Sequence, residues 1–187
     1  LVVIIYAIFS STTATLSHLK DATQSQVISA KKLPRNNDTS NYTYSLWFFV
    51  NEWNYKVGEP KTILSRVDNH KNPCPSMTLG EYQNDLTIAV TCYKNKASDP
   101  DGGKSKKDYT VFPCTIDNVP LQRWVNLLIS LNGRTLDVYL DGKLVRTCVL
   151  PGVAKVAAAS DVVLSPNGGF NGWTSKVQYW ANSTNPQ

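Results

Sequence analysis

Over most of the chain, apolar side chains recur at every second position. Tyr42 to Val50 sets Tyr44, Leu46, Phe48 and Val50 on one face, with Thr43, Ser45, Trp47 and Phe49 on the other. Arg123 to Leu131 separates Val125, Leu127, Ile129 and Leu131 from Trp124, Asn126, Leu128 and Ser130. In Thr135 to Leu140, the residues Leu136, Val138 and Leu140 share a face. Successive side chains of a strand point to opposite sides, so each segment predicts a strand with one face on a core. No stretch from Asn41 onward carries a helical stripe.

Turn chemistry orders these strands. Asn132-Gly133 and Asp141-Gly142 tolerate the positive φ of a type I′ turn, and predict a three-stranded meander over Arg123 to Leu131, Arg134 to Leu140 and Lys143 to Leu150. Gln83-Asn84-Asp85 predicts a further hairpin, pairing Ser76 to Tyr82 with Leu86 to Tyr93. Thr110 to Ile116, Asp161 to Leu164 and Phe170 to Trp180 bring the count to about ten short strands, which implies a sandwich or barrel.

The N-terminal segment reads differently. Leu1 to Phe9 (LVVIIYAIF) is uncharged and apolar throughout, but a spanning helix needs about 20 such residues. It is read as the end of a membrane anchor, the apolar region of a signal peptide, or a buried strand. Ser10 to Ala30 turns to Ser, Thr, Gln and Ala and reads as a stalk or linker, with a first strand near Val27 to Leu33. The expected organisation is an anchor and linker segment over 1–26 and a single body over 27–187.

At 187 residues the chain suits one domain. With 42% hydrophobic and 18% charged residues it is globular, and its net charge of +5 is too modest to imply a nucleic acid. Two histidines and four cysteines without a C-x-x-C pair do not make a zinc finger. Phosphate-loop, dinucleotide-loop and serine-hydrolase motifs are missing from the sequence.

The stretch Val119-Pro120-Leu121-Gln122-Arg123-Trp124-Val125-Asn126, followed by Leu136 to Val145, resembles the concanavalin A-like, laminin G-like jelly roll. Phe170-Asn171-Gly172-Trp173 running into Lys176 to Trp180 is similar to that family's closing strand, and Tyr42 to Val50 with Ile63 to Arg66 to its opening strands. The resemblance covers roughly residues 27 to 187 and implies an all-β, two-sheet antiparallel jelly-roll sandwich. The wording of Trp47 to Pro60 and Ser165 to Gln187 resembles laminin G-like proteins of large DNA viruses of algae and protists. That likeness implies a minor capsid or virion protein, tied to a membrane through Leu1 to Phe9 and touching neighbouring shell proteins.

Glycosidases on this fold carry carboxylates clustered on one strand, because nucleophile and acid must lie close together. Glu52, Glu59, Glu81 and Asp85 are scattered instead. Asp137 and Asp141 share a face, but Asp141 is accounted for by its turn. A non-enzymatic protein without metal or cofactor is therefore expected. His70 and Cys74 are four apart but Pro73 and Pro75 exclude a helix between them, and lysines surround the calcium-like Asp99 to Gly103. The loop Lys94 to Asp108 holds five lysines with no interleaved aromatic residue, and reads as a solvated hairpin tip rather than a nucleic-acid finger.

An indole face can stack on a sugar ring. Trp53 and Trp173 lie near loops and are the candidate glycan contacts, whereas Trp47, Trp124 and Trp180 sit in strands and are expected to pack in the core. Four cysteines allow three pairings. A hairpin turning at Asn84 puts Cys92 opposite Pro75 to Ser76, favouring Cys74–Cys92 and leaving Cys114–Cys148 by elimination. Bridges suit a virion-surface, extracellular or lumenal setting, as do the N-x-[ST] sequons at Asn37, Asn41 and Asn182. The leading expectation is a structural virion component, and the alternative is a lectin-like module for cell-surface or cell-wall glycans.

Overall fold

The computed structural model describes residues 13–35, 38–94 and 108–186. Thirteen strands form two antiparallel sheets: β1 (Thr13–Ser17), β2 (Lys20–Asp21), β3 (Gln26–Ile28), β4 (Tyr42–Glu52), β5 (Lys61–Val67), β6 (Pro73–Leu79), β7 (Leu86–Tyr93), β8 (Tyr109–Ile116), β9 (Trp124–Asn132), β10 (Thr135–Leu140), β11 (Lys143–Val149), β12 (Val162–Leu164) and β13 (Asn171–Trp180). The first sheet runs β1-β13-β4-β9-β10-β11, with β2 also on β13, and the second runs β3-β12-β5-β6-β7-β8. This is the expected all-β sandwich.

The alternating pattern sets the core. Tyr42, Tyr44, Leu46, Phe48 and Val50 of β4 point inward with Val125, Leu127, Ile129 and Leu131 of β9. They meet Ile63, Met77, Leu79, Leu86, Ile88 and Val90 of the second sheet. Each such burial contributes about 1.5–3 kcal/mol before the cost of ordering the chain.

The meander forms as expected, with one change of turn. Asp141 and Gly142 both take positive φ (+50° and +77°) between Leu140 and Lys143. In the preceding hairpin Asn132 pairs with Thr135, so Gly133 and Arg134 make the loop and Gly133 has positive φ (+59°). Glycine first in a two-residue loop suits the type II′ class better than an Asn-Gly type I′ turn.

Residues 13–21, read as linker, belong to the sandwich. Thr13, Ala14 and Thr15 pair with Trp180, Tyr179 and Gln178, and Leu16 is buried. The body therefore begins well before residue 27, because β13 is long enough to pair on both sides. Leu1 to Phe9 lies outside the described residues. So do Asn37 and residues 95–107 of the lysine-rich loop. Among the described residues no helix is long and apolar enough to cross a membrane.

The Cys74–Cys92 bridge is not formed, and both residues are buried thiols. The turn between β6 and β7 takes Gly80 to Asp85, so Ala89 rather than Cys92 faces Ser76, and the β6–β7 ladder ends there. Cys92 instead lies opposite Thr110 of β8. Cys114 and Cys148 are joined, with S–S 2.08 Å and Cα–Cα 6.2 Å.

Candidate functional site

The outer face of the first sheet is built from the positions out of phase with the core. Directly opposed residues of antiparallel strands share a face, so the register lays out its rungs. Trp173, Phe49 and Trp124 form one rung across β13, β4 and β9. Ser175, Trp47 and Asn126 form the next, and Gln178, Ser45, Leu128 and Tyr139 another.

Along the first rung, the Phe49 ring lies 5.7 Å from Trp124 and 6.1 Å from Trp173, tilted by 58° and 64°. Such inclined packing suits aromatic quadrupoles and fixes the two indoles about a common centre. Trp124 and Trp173 remain 39% and 42% exposed, while Trp47 and Phe49 are half-buried. Trp47, Trp124, Ser175 and Lys176 line a shallow groove of about 320 Å³.

Lys176 reaches this groove through a β-bulge. The register between β13 and β4 slips between Ser175 and Gln178, and Lys176 is the exposed residue of that slip, with φ +46°. A bulge inserts one unpaired residue and re-aims its side chain, here setting a cation beside two tryptophans.

Polar contacts brace the same face. Asn126 donates from Nδ2 to Ser45 Oγ and to the Leu46 carbonyl, each at 3.3 Å. Asp141 accepts from the Asn126 N–H (2.8 Å) and pairs with Arg123 (2.7 Å). Asp137 accepts from Thr147 Oγ1 at 2.6 Å. Burial raises the Tyr139 pKa, and Asp137 adds to the shift, so this phenol is neutral near pH 7.

The C-terminal tail crosses the other end of the face. Thr43 Oγ1 donates to the Asn182 carbonyl (2.9 Å) and accepts from the Thr184 N–H (3.0 Å), which lies 3.2 Å from Ser130 Oγ. Thr43 and Ser130 are thereby buried, and the aromatic end stays open.

Of the two tryptophans picked from the sequence, Trp173 stands on this face and Trp53 stands apart from it. The Trp53 indole N–H donates to the Tyr82 carbonyl (3.3 Å), and the ammonium of buried Lys61 sits 4.7 Å from its ring centroid. Trp47 and Trp124, expected in the core, face outward. Trp180 does too, opposite Thr43. The available signal was phase: each alternates with Thr, Ser or Asn rather than with the inward set. Of the sequons, Asn182 is exposed, while the Asn41 amide is bonded to Asn132 Oδ1 (3.4 Å) and to the Gly133 N–H (2.8 Å). Among the described residues no three of His, Cys, Asp and Glu gather as metal ligands.

The model of the concanavalin A-like lectin/glucanases superfamily matches residues 21–187. Solved structures with this fold include the botulinum neurotoxin serotype D binding domain, at 10% identity and TM-score 0.61, covering 93% of this chain and 40% of that one. The receptor binding domain of botulinum neurotoxin C/D mosaic serotype matches at 10% identity and TM-score 0.59, covering 90% and 39%. The binding domain of botulinum neurotoxin DC in complex with SialylT matches at 17% identity and TM-score 0.57, covering 87% and 37%. The chain spans less than half the length of each, and at these identities the likeness is one of fold. No curated protein sequence matches the chain.

Proposed function

The chain belongs to the concanavalin A-like lectin/glucanases superfamily, and from that premise we propose that it is a non-catalytic, lectin-like module that binds glycans on the outer face of its first sheet. The Trp173–Phe49–Trp124 rung with Trp47 beside it carries this reading. Two exposed indoles on a rigid sheet form a platform for the apolar faces of sugar rings. Ser175, Gln178 and Lys176 supply hydrogen-bonding partners for hydroxyls or an acidic substituent. The carboxylates nearby, Asp137 of β10 and Asp141 of the following turn, are engaged by Thr147, Asn126 and Arg123, which suits retention rather than turnover.

Glycan-array screening of the chain, followed by titration of the best saccharide, tests this. Saturable binding that weakens more than about tenfold in both Trp124→Ala and Trp173→Ala is expected. Undiminished binding in both variants overturns the assignment.

A second reading, assembly into a virion shell near a membrane, is favoured by the edge strand β11. Leu144, Val145 and Val149 are exposed there, 54%, 43% and 65%, and an apolar sheet edge is a template for another protein's strand. Density-gradient separation of the native source with quantitative mass spectrometry separates the readings. Fixed stoichiometry with a particle after detergent and salt washes favours the shell, and variable recovery defeats it.

A further inference from the structure

Arg66 of β5 is a buried cation surrounded by neutral acceptors. It is 3% exposed, and its guanidinium donates from Nε to the Ser160 carbonyl (3.1 Å), from Nη2 to the Ala158 carbonyl (3.1 Å) and from Nη1 to the Tyr44 hydroxyl (3.4 Å). The Tyr179 phenol borders the same space. Burial raises the pKa of both phenols, so neither supplies a negative charge. Among the described residues, the ion pairs are Lys56–Glu59, Arg123–Asp141 and Lys155–Asp68, and none includes Arg66. A guanidinium held out of water without a counter-charge is costly, and these three bonds leave two of its five N–H donors over, one on each terminal nitrogen.

The same side chain borders a cavity of about 110 Å³, room enough for several waters or a small anion. Arg35, Thr39, Asn41 and Tyr179 line it too, and no carboxylate does among the described residues. Arg35 is exposed, so it stands at the mouth while Arg66 lies within. Two guanidiniums on one small cavity match the planar or tetrahedral oxygens of an oxyanion, which arginine binds through paired N–H donors. None of the residues lining the aromatic groove lines this cavity.

We propose that this cavity binds a single oxyanion — a carboxylate, sulfate or phosphate group — between Arg66 inside and Arg35 at the mouth. The anion supplies a counter-charge that Arg66 lacks among the described residues, and ties Arg35 to β5 and to Val156 and Ala158. This site is independent of the glycan reading above.

Amide NMR titration of the chain with sodium sulfate, phosphate, acetate and glucuronate, at ionic strength held constant with chloride, tests it. Saturable shifts at the amides of Thr39, Val156 and Ala158 are expected, with a dissociation constant in the range of about 1 mM or below. Because Arg66 also holds two loop carbonyls, the deciding variant is Arg35→Ala, whose exposed side chain can be removed with the melting temperature unchanged. It should weaken binding about tenfold. Glucuronate binding tighter than acetate and the inorganic ions identifies a sugar-borne carboxylate as the source, and equal or weaker binding identifies the free ion. Linear shifts matching those in chloride, or an affinity unchanged in Arg35→Ala, overturn the proposal.

Discussion

Cys114 and Cys148 join the two sheets at one side of the sandwich, each from the end strand of its own sheet. β8 and β11 would otherwise be free to part there, since the hydrogen bonds of each run only to its own neighbour. The bond closes a segment of sequence separation 34, which restricts the unfolded chain. Replacing both cysteines by Ser should lower stability by about 2–4 kcal/mol, read as a shift in denaturation midpoint. Cys74 and Cys92 are both buried thiols and should be masked from reagents in the native protein. Burial pushes the Cys92 thiol up to about 11 and raises Cys74 as well. Thiol titration should therefore find none reactive in the native protein and two after denaturation. Zero after denaturation would mean a second bridge.

Gly172 is required where β13 meets β4. Its φ is +152°, and a Cβ there would stand 1.8 Å from the Phe49 carbonyl oxygen, a backbone atom fixed by the ladder. Gly172→Ala must push the strands apart beside Phe49 and Trp173. It should cost about 3 kcal/mol or more, with altered tryptophan fluorescence. A loss below about 1 kcal/mol would show that the strands yield easily there.

Alternation over Tyr42 to Val50 and Arg123 to Leu131 identified the core-facing residues, because a half-buried strand writes its burial into a period of two. It also placed Trp47 and Trp124 in the opposite phase. Whether that second face is covered depends on other parts of the chain. Here Asn182 to Asn185 covers the end with Thr43 and Ser130 and reaches Tyr139 on the next rung. β1 was missed for a related reason: Thr13 to Ser17 is short and polar, and it becomes a strand by pairing with residues at the far end of the sequence. The Cys74–Cys92 pairing failed on turn length, whereas Cys114–Cys148 formed as expected. Moving the turn from three residues to Gly80–Asp85 changes the partner of every rung. Arg66 carries no sequence signal of its site, since its neighbours come from distant loops.

Asp68 anchors the loop after β5. Its carboxylate accepts from the N–H of His70 and of Asn72 (both 2.8 Å), from Asn72 Nδ2 (3.0 Å) and from Lys155 Nζ (2.6 Å). Burial disfavours its charged form, but the bonds from Lys155, Asn72 and His70 outweigh that and hold its pKa well below the usual carboxylate range. The unfolded chain then binds the proton more readily than the folded one. Asp68 therefore stabilises fully above about pH 4, and this contribution is lost as pH falls below that value. Asp68→Asn should lower the melting temperature by several degrees at pH 7 and by progressively less toward pH 2. Equal losses at both pH values would exclude the charge as the cause.

Trp53 and Trp173 should separate stability from binding. Trp53 is half-buried against the core, its N–H bonded to the Tyr82 carbonyl and its ring beside Lys61. Lys61 is itself buried and donates to the Gly80 and Glu81 carbonyls at 3.3 and 3.2 Å, so the indole, the ammonium and the β6–β7 turn support one another. Trp53→Ala uncovers the ammonium and empties the space beside it, at about 2 kcal/mol. It leaves the rung of Trp173, Phe49 and Trp124 in place. Trp173→Ala removes an exposed ring, should change stability by less than about 1 kcal/mol, and takes away half of the stacking platform. Denaturation and saccharide titration on both variants should therefore give opposite outcomes: Trp53→Ala less stable with affinity kept, Trp173→Ala stable with affinity lost. If affinity instead falls only in Trp53→Ala, measured where that variant is still folded, the glycan site lies at the β6–β7 turn and not on the sheet.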